Sequence, residues 1–353
     1  MPRMEVGVDL SLLSQVVRDP HRLGSLSPQE FSRVLDAAER ARLIGWLLTQ
    51  IETDQISGER PDWLNDRVLT VRARATEYVR GVRWEIDRIR RAFWQRVIPW
   101  ILLKGAAYIA MKLPPGRGRR VADIDILVPR EHLDDAEAAL QQHGWTFAAL
   151  NPYDTRYYRQ WMHELPPMIH GERRSVVDLH HAILPRTSRL HPSTARLIER
   201  SVEIEDDLRV LSPAHMVLHA AAHLFHDGEI AGAVRDLVDL DGLLRYFGED
   251  RAFWTDFVGE ARELELTRPA HYALRYTARL LRTPIPPDVL SETRRWAPAA
   301  PAQGLMDALV ERVILGMGTS SAAAYALYVR SHWLRMPPWL LARHLLQKSL
   351  RAQ

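Results

Sequence analysis

The segment Asp123-Ile124-Asp125-Ile126-Leu127-Val128 places two carboxylates two residues apart in an otherwise apolar, β-branched run. Side chains at i and i+2 of a strand share a face. Asp123 and Asp125 therefore project together, while Ile124 and Ile126 go to the other side. Adjacent carboxylates repel, and a divalent cation removes the repulsion. Oxygen ligands of this kind suit Mg²⁺ or Mn²⁺, which keep waters and bind substrate phosphates as well. Val177-Asp178-Leu179-His180 offers a third carboxylate, and by the same alternation Asp178 and His180 share a face. If the two strands are neighbours, Asp123, Asp125 and Asp178 converge and can hold two metals about 3.5–4 Å apart. Phosphoryl and nucleotidyl transfer need mainly positioning and charge neutralisation, which such a set supplies.

The elements that must position these residues read as a small α/β unit. Val97-Ile98-Pro99-Trp100-Ile101-Leu102-Leu103 is an apolar run ending at Lys104-Gly105, which predicts a buried strand. Ala106 to Met111 follows as a short helix, and Leu113 to Arg120, rich in proline, glycine and arginine, is a loop. Val121 to Val128 and Ser175 to His180 are strands, with a helix from Glu131 to His143 between them. Gly105, between strand and helix and ahead of the acids, reads as a phosphate-facing turn. Backbone N–H groups at a helix start can hold phosphate, and Lys104, Arg117, Arg119 and Arg120 add positive charge.

Both flanks read as helical. Ser27-Pro28-Gln29-Glu30 has capping-box spacing with proline at the first helical position, and the apolar periodicity predicts one helix running to Ile51. A second long helix spans Pro61-Asp62 to Phe93. From Pro192 onward helices dominate, including one that Ser212-Pro213 caps and that runs to Gly228. The expected fold is α+β and mostly helical, with a small mixed-sheet core at 97–186 between helical regions at 1–96 and 187–353. His219, His223 and His226 stand at i, i+4 and i+7 of a helix and share a face. They suit either zinc or, as preferred here, a polar seam packed on Arg235, Asp236 and Asp239. His226-Asp227 also spells the dipeptide of metal phosphohydrolases, but His219 and Asp239 are poorly spaced to complete that set. The tail from Trp333 to Leu350 is amphipathic and reads as a closing helix in preference to a membrane-surface one.

Composition bounds the alternatives. The 353 residues are 46% hydrophobic and 26% charged and include no cysteine. That excludes disulfides, thiolate zinc sites and a cysteine nucleophile. No apolar run approaches the ~20 residues of a membrane span, and Met1-Pro2-Arg3-Met4-Glu5 opens no secretory signal. A cytoplasmic protein is expected. Net charge is +3 and the pI about 9.2. Of 47 basic residues only Lys104, Lys112 and Lys348 are lysine, so arginine abundance is poor support for nucleic-acid binding. The same bias makes Lys104 stand out.

Leu102-Leu103-Lys104-Gly105-Ala106-Ala107, Arg119 four residues before the aspartate pair, and Leu133 through Gly144 together resemble a known group. It is the uncharacterised bacterial nucleotidyltransferase-like family, within the DNA polymerase β-type nucleotidyltransferase superfamily. Asp178-Leu179-His180 is similar to the family's third acidic position followed by histidine. The resemblance implies a mixed sheet with flanking helices, two divalent metals and an NTP donor. It implies metal binding by Asp123, Asp125 and Asp178, and a donor site at Lys104, Gly105, Ala106, Arg119 and Arg120. His180 would act beside the carboxylates as their support or as a base, with His181 on the opposite face. Two departures stand out: Ala106 replaces the superfamily's usual serine, and seventeen residues separate Gly105 from Asp123. The expected reaction is attack by an acceptor hydroxyl or phosphate on the α-phosphate of the NTP, expelling pyrophosphate. The acceptor (peptide, small molecule or RNA) is open. So are two other readings: a catalytically silent module that binds a peptide or protein, and an RNA-modifying or toxin-like transferase.

Overall fold

The computed structural model describes residues 10–53, 61–94, 96–147, 158–205, 207–227, 230, 233–314 and 321–337. Its centre is one mixed sheet. The strands are β1 (Ile101–Leu102), β2 (Ile124–Leu127), β3 (Trp145–Phe147), β4 (Met168–His170), β5 (Val176–His180), β6 (Val202–Glu205) and β7 (Leu208–Val210). They lie in the order β3-β4-β5-β2-β1-β7-β6. β2 runs parallel to β5, with Asp125 opposite Asp178 and Leu127 opposite His180. β1 is antiparallel to β2 and parallel to β7. β1 and β2 are buried along their whole length, which is why both read as nearly continuous apolar runs. The fold is α+β and mostly helical, as expected.

The strands are shorter than the sequence pattern. Of the run Val97–Leu103 only Ile101 and Leu102 pair, because Val97 takes a positive φ of 49° and is 86% exposed. The helix after them begins at Lys104 rather than Ala106 and ends at Ala110. The capping box forms as read, with the Ser27 side chain accepting from Glu30 N–H and the Glu30 carboxylate from Ser27 N–H. The single helix expected from there to Ile51 is two, Pro28–Arg40 and Ile44–Thr53. Arg42, in the left-handed region at φ 57°, turns the chain between them. The apolar rhythm continues across the break because both helices pack on one core. The second long helix, Asp62–Trp94, forms as expected and buries Leu64, Val68, Val71, Ile86, Ile89 and Phe93.

The segment after Pro192 is not wholly helical. β6 and β7 form a hairpin there, and β7 is the second neighbour of β1. A four-residue and a three-residue strand carry too little alternation to outweigh the surrounding helical pattern. Ser212 then caps the helix Pro213–Ala222, and a wider π turn follows over His223–Asp227. The helices Val234–Phe247, Arg251–Glu263 and Thr267–Leu281 complete the packing around it. The helix Ser321–Arg335 carries Trp333, whose ring lies 4.6 Å beneath the Arg189 guanidinium. The rest of the expected tail helix, from 338 on, lies outside the described residues. Among those residues no helix is long and apolar enough to cross a membrane.

Candidate active site

The site is assembled where β1 ends and β2 begins. Leu103 N–H bonds the Asp125 carbonyl at 3.0 Å, so the chain leaves β1 directly beside the aspartates. Lys104 then adopts φ 44°, a conformation that disfavours an L-residue by about 1–3 kcal/mol. Its ammonium donates to Asp125 Oδ1 at 2.7 Å, and His180 Nε2 lies 3.0 Å from the same oxygen. Asp125 is only 5% exposed. Burial opposes its charge, but Lys104 and His180 outweigh burial and hold the carboxyl well below the usual range. Burial likewise opposes the Lys104 charge, and Asp125, with Glu164 and Asp123, keeps its pKa above the ordinary value.

Asp178 has no such direct partner among the described residues, and His180 offsets its burial only slightly. It faces Asp125 across β2 and β5, and its Oδ1 is buried with no hydrogen-bond partner. Burial first, then the Glu164, Asp125 and Asp123 carboxylates, push its pKa up to about 8. Asp123, half-buried just before β2, acts on both Asp178 and Lys104. Asp125 and Asp178 are therefore neighbours across the two strands, with Asp123 near enough for its charge to act on Asp178. His180 joins them through Asp125, not Asp178, and is completely buried. His181 points elsewhere: burial and the nearby Arg130 and Arg186 lower its pKa to about 4.

Two residues at this site were not read from the sequence. Glu164 forms an isolated antiparallel bridge with His180, and its Oε2 lies 3.3 Å from His180 Nε2. His163, buried beside it, has its ring centroid 5.2 Å from that of His180. The sequence signal was a polar His-Glu pair set against Leu165-Pro166-Pro167, with no periodicity to give it a direction. The helix Pro213–Ala222 and its π turn add His219 and His223. Burial and the Lys104 charge keep both imidazoles below the ordinary histidine pKa. His226 does not share their face. The extra residue of a π turn shifts the register, and His226 Nε2 instead meets Ser188 Oγ at 2.7 Å. The seam expected against the next helix forms in part, since Asp236 acts on His223.

The residues expected on the donor side are distributed differently. Gly105 and Ala106 are buried, and the residue with positive φ is Lys104. Gly105 makes room for Arg119 instead, because a Cβ there would stand 2.6 Å from Arg119 Nε. Arg119 is itself buried, paired with Asp239 and set 5.3 Å from the Tyr108 ring. Arg120 is exposed, with its guanidinium 5.3 Å from the Tyr78 ring. Of the expected donor set, only Lys104 makes a direct contact with the carboxylates.

Among curated proteins nothing matches the chain. A family model does, over residues 27–282, a span that holds Lys104, all three aspartates, Glu164 and the histidines of the π turn. The chain thus belongs to the uncharacterised nucleotidyltransferase family, as the lysine–glycine lead-in and the aspartate pair implied.

Proposed function

We propose that the protein transfers a nucleotidyl group from an NTP to an acceptor hydroxyl or phosphate, using divalent cations held by Asp123, Asp125 and Asp178. The observation that carries this reading is the orphaned Oδ1 of Asp178 opposite Asp125, in a cluster with more carboxylate than positive charge. Those residues fit Mg²⁺ or Mn²⁺, whose ligands are hard oxygens. Bound there, such a cation supplies charge neutralisation for the triphosphate and lowers the pKa of an acceptor hydroxyl. Asp125 meets it already ionised, because Lys104 and His180 keep its proton away. His180 orients Asp125 and is a positioning residue, since its Nε2 is engaged by Asp125 and Glu164. Lys104 brings its ammonium from Asp125 to the donor phosphates when nucleotide arrives. A second reading, the silent binding module, is favoured by the same ammonium, which already neutralises Asp125.

Calorimetric titration separates the two. NTP should bind in Mg²⁺ and lose its affinity in EDTA or in Asp125→Asn. Lys104→Ala should weaken NTP binding by roughly 1.5–3 kcal/mol, more than it changes metal affinity. NTP binding that ignores both the metal and Asp125→Asn would remove the transferase reading.

A further inference from the structure

Beside the aspartates stands a second set of ligating groups with different chemistry. We infer that His163, Glu164 and His180 form a second site, for a divalent transition-metal ion of the Zn²⁺ class, which Mg²⁺ does not fill. One ligand atom from each residue lies within 4.8 Å of the others. Glu164 Oε2 is 3.3 Å from His180 Nε2 and 3.8 Å from His163 Nε2. A tetrahedral ion with bonds of about 2.0–2.1 Å spaces its ligand atoms by roughly 3.3–3.4 Å. One edge of the triangle already has that length, and another is within about half an ångström of it.

The backbone fixes the three residues relative to one another. Glu164 and His180 are bridge partners, Leu165 N–H bonds Leu179 C=O at 2.9 Å, and His181 N–H bonds His163 C=O at 2.8 Å. Ligands on two zipped segments need little ordering when an ion binds. His163 is 5% exposed and His180 is 0% exposed, so both rings are out of competition with water. Asp227 Oδ2 lies 3.9 Å from His163 Nε2, within reach as a fourth ligand, and its Oδ1 is buried without a hydrogen bond. Imidazole nitrogen suits zinc and its neighbours, whereas magnesium keeps to oxygen and water. The aspartate set is all oxygen and the histidine set is not. The two sites therefore differ in selectivity and meet at His180, whose Nε2 also lies 3.0 Å from Asp125 Oδ1.

The test uses Co²⁺ as a spectroscopic probe of untagged, EDTA-dialysed full-length protein. Saturable visible bands should appear, survive excess Mg²⁺ and disappear on adding Zn²⁺. The variants His163→Ala and Glu164→Gln should each weaken Co²⁺ at least 10-fold, the lower bound for losing even an outer partner of a ligand. The near-isosteric glutamine guards against mere misfolding, and thermal melting verifies both variants. Asp178→Asn should keep the bands. Bands of equal strength in wild type and both variants would come from other histidines and would overturn the site, as would no bands at all or bands lost to Mg²⁺.

Discussion

At the residue scale the site is a set of charges held in opposition. Asp178 has a folded-state pKa of about 8, against about 3.9 for an unperturbed aspartate. Between those values the folded chain binds the extra proton, so stability falls as pH rises through that window. His180, whose pKa is raised through Glu164 and Asp125 against its burial, adds a loss of the same sign. His163, His219 and His223 are shifted down, and their contribution is lost only as pH falls through the ordinary histidine range. From about pH 6.5 to pH 8 the first effect therefore dominates. The metal-free protein should lose melting temperature across that interval. Asp178→Asn should flatten the loss and melt higher than wild type at pH 8, and Mg²⁺ should raise the wild type there. Scanning calorimetry at the two pH values measures this, and equal slopes for both proteins would contradict it. Strand alternation made these aspartates legible in the sequence. It could not reveal that Lys104, through a left-handed turn, would reach back to Asp125.

At the element scale, close backbone approaches hold the site's supports together. Gly45, at the start of the helix Ile44–Thr53, passes the loop at 117–118 so closely that a Cβ would stand 2.0 Å from the Arg117 carbonyl oxygen. Gly242 likewise admits Pro115, where a Cβ would meet the ring at 2.9 Å. The loop is thus gripped from both flanks, and Arg119, just beyond it, is tied to Asp239. Gly45→Ala should destabilise the fold by about 1–3 kcal/mol, the usual range for overpacking. Denaturant unfolding reads that loss, and an unchanged midpoint would show the loop yields freely. Helices were the legible elements, since long apolar periodicity and the Ser27 cap are local signals. β3, β4, β6 and β7 were not, because each has three or four residues and depends on partners distant in the chain. The break at Arg42 was hidden for a related reason: apolar spacing reports the core, not the path between helices.

At the scale of the whole molecule, the site gathers chain segments that the sequence reading kept apart. β1 pairs with β2 on one side and with β7, at 208–210, on the other. The helix Pro213–Ala222 and the turn after it then bring His219 and His223 to Lys104. A reading centred on residues 97–186 captured the acids and their lead-in. It left out Glu164's direction, and the helical face of His219 and His223, though read, meets Lys104 only through tertiary packing. The family match over 27–282 spans all of these segments. Nucleotidyl transfer is tested most directly by where each phosphate of the donor goes. The purified protein is incubated with Mg²⁺ or Mn²⁺, a cell extract, and NTP labelled at either the α- or the γ-phosphate. Label from the α position should become attached to an acceptor, label from the γ position should leave as pyrophosphate, and Asp123→Asn and Asp125→Asn should reduce both by at least ~100-fold. Transfer of γ label to the acceptor, or α label attached equally well by both variants, would contradict the account.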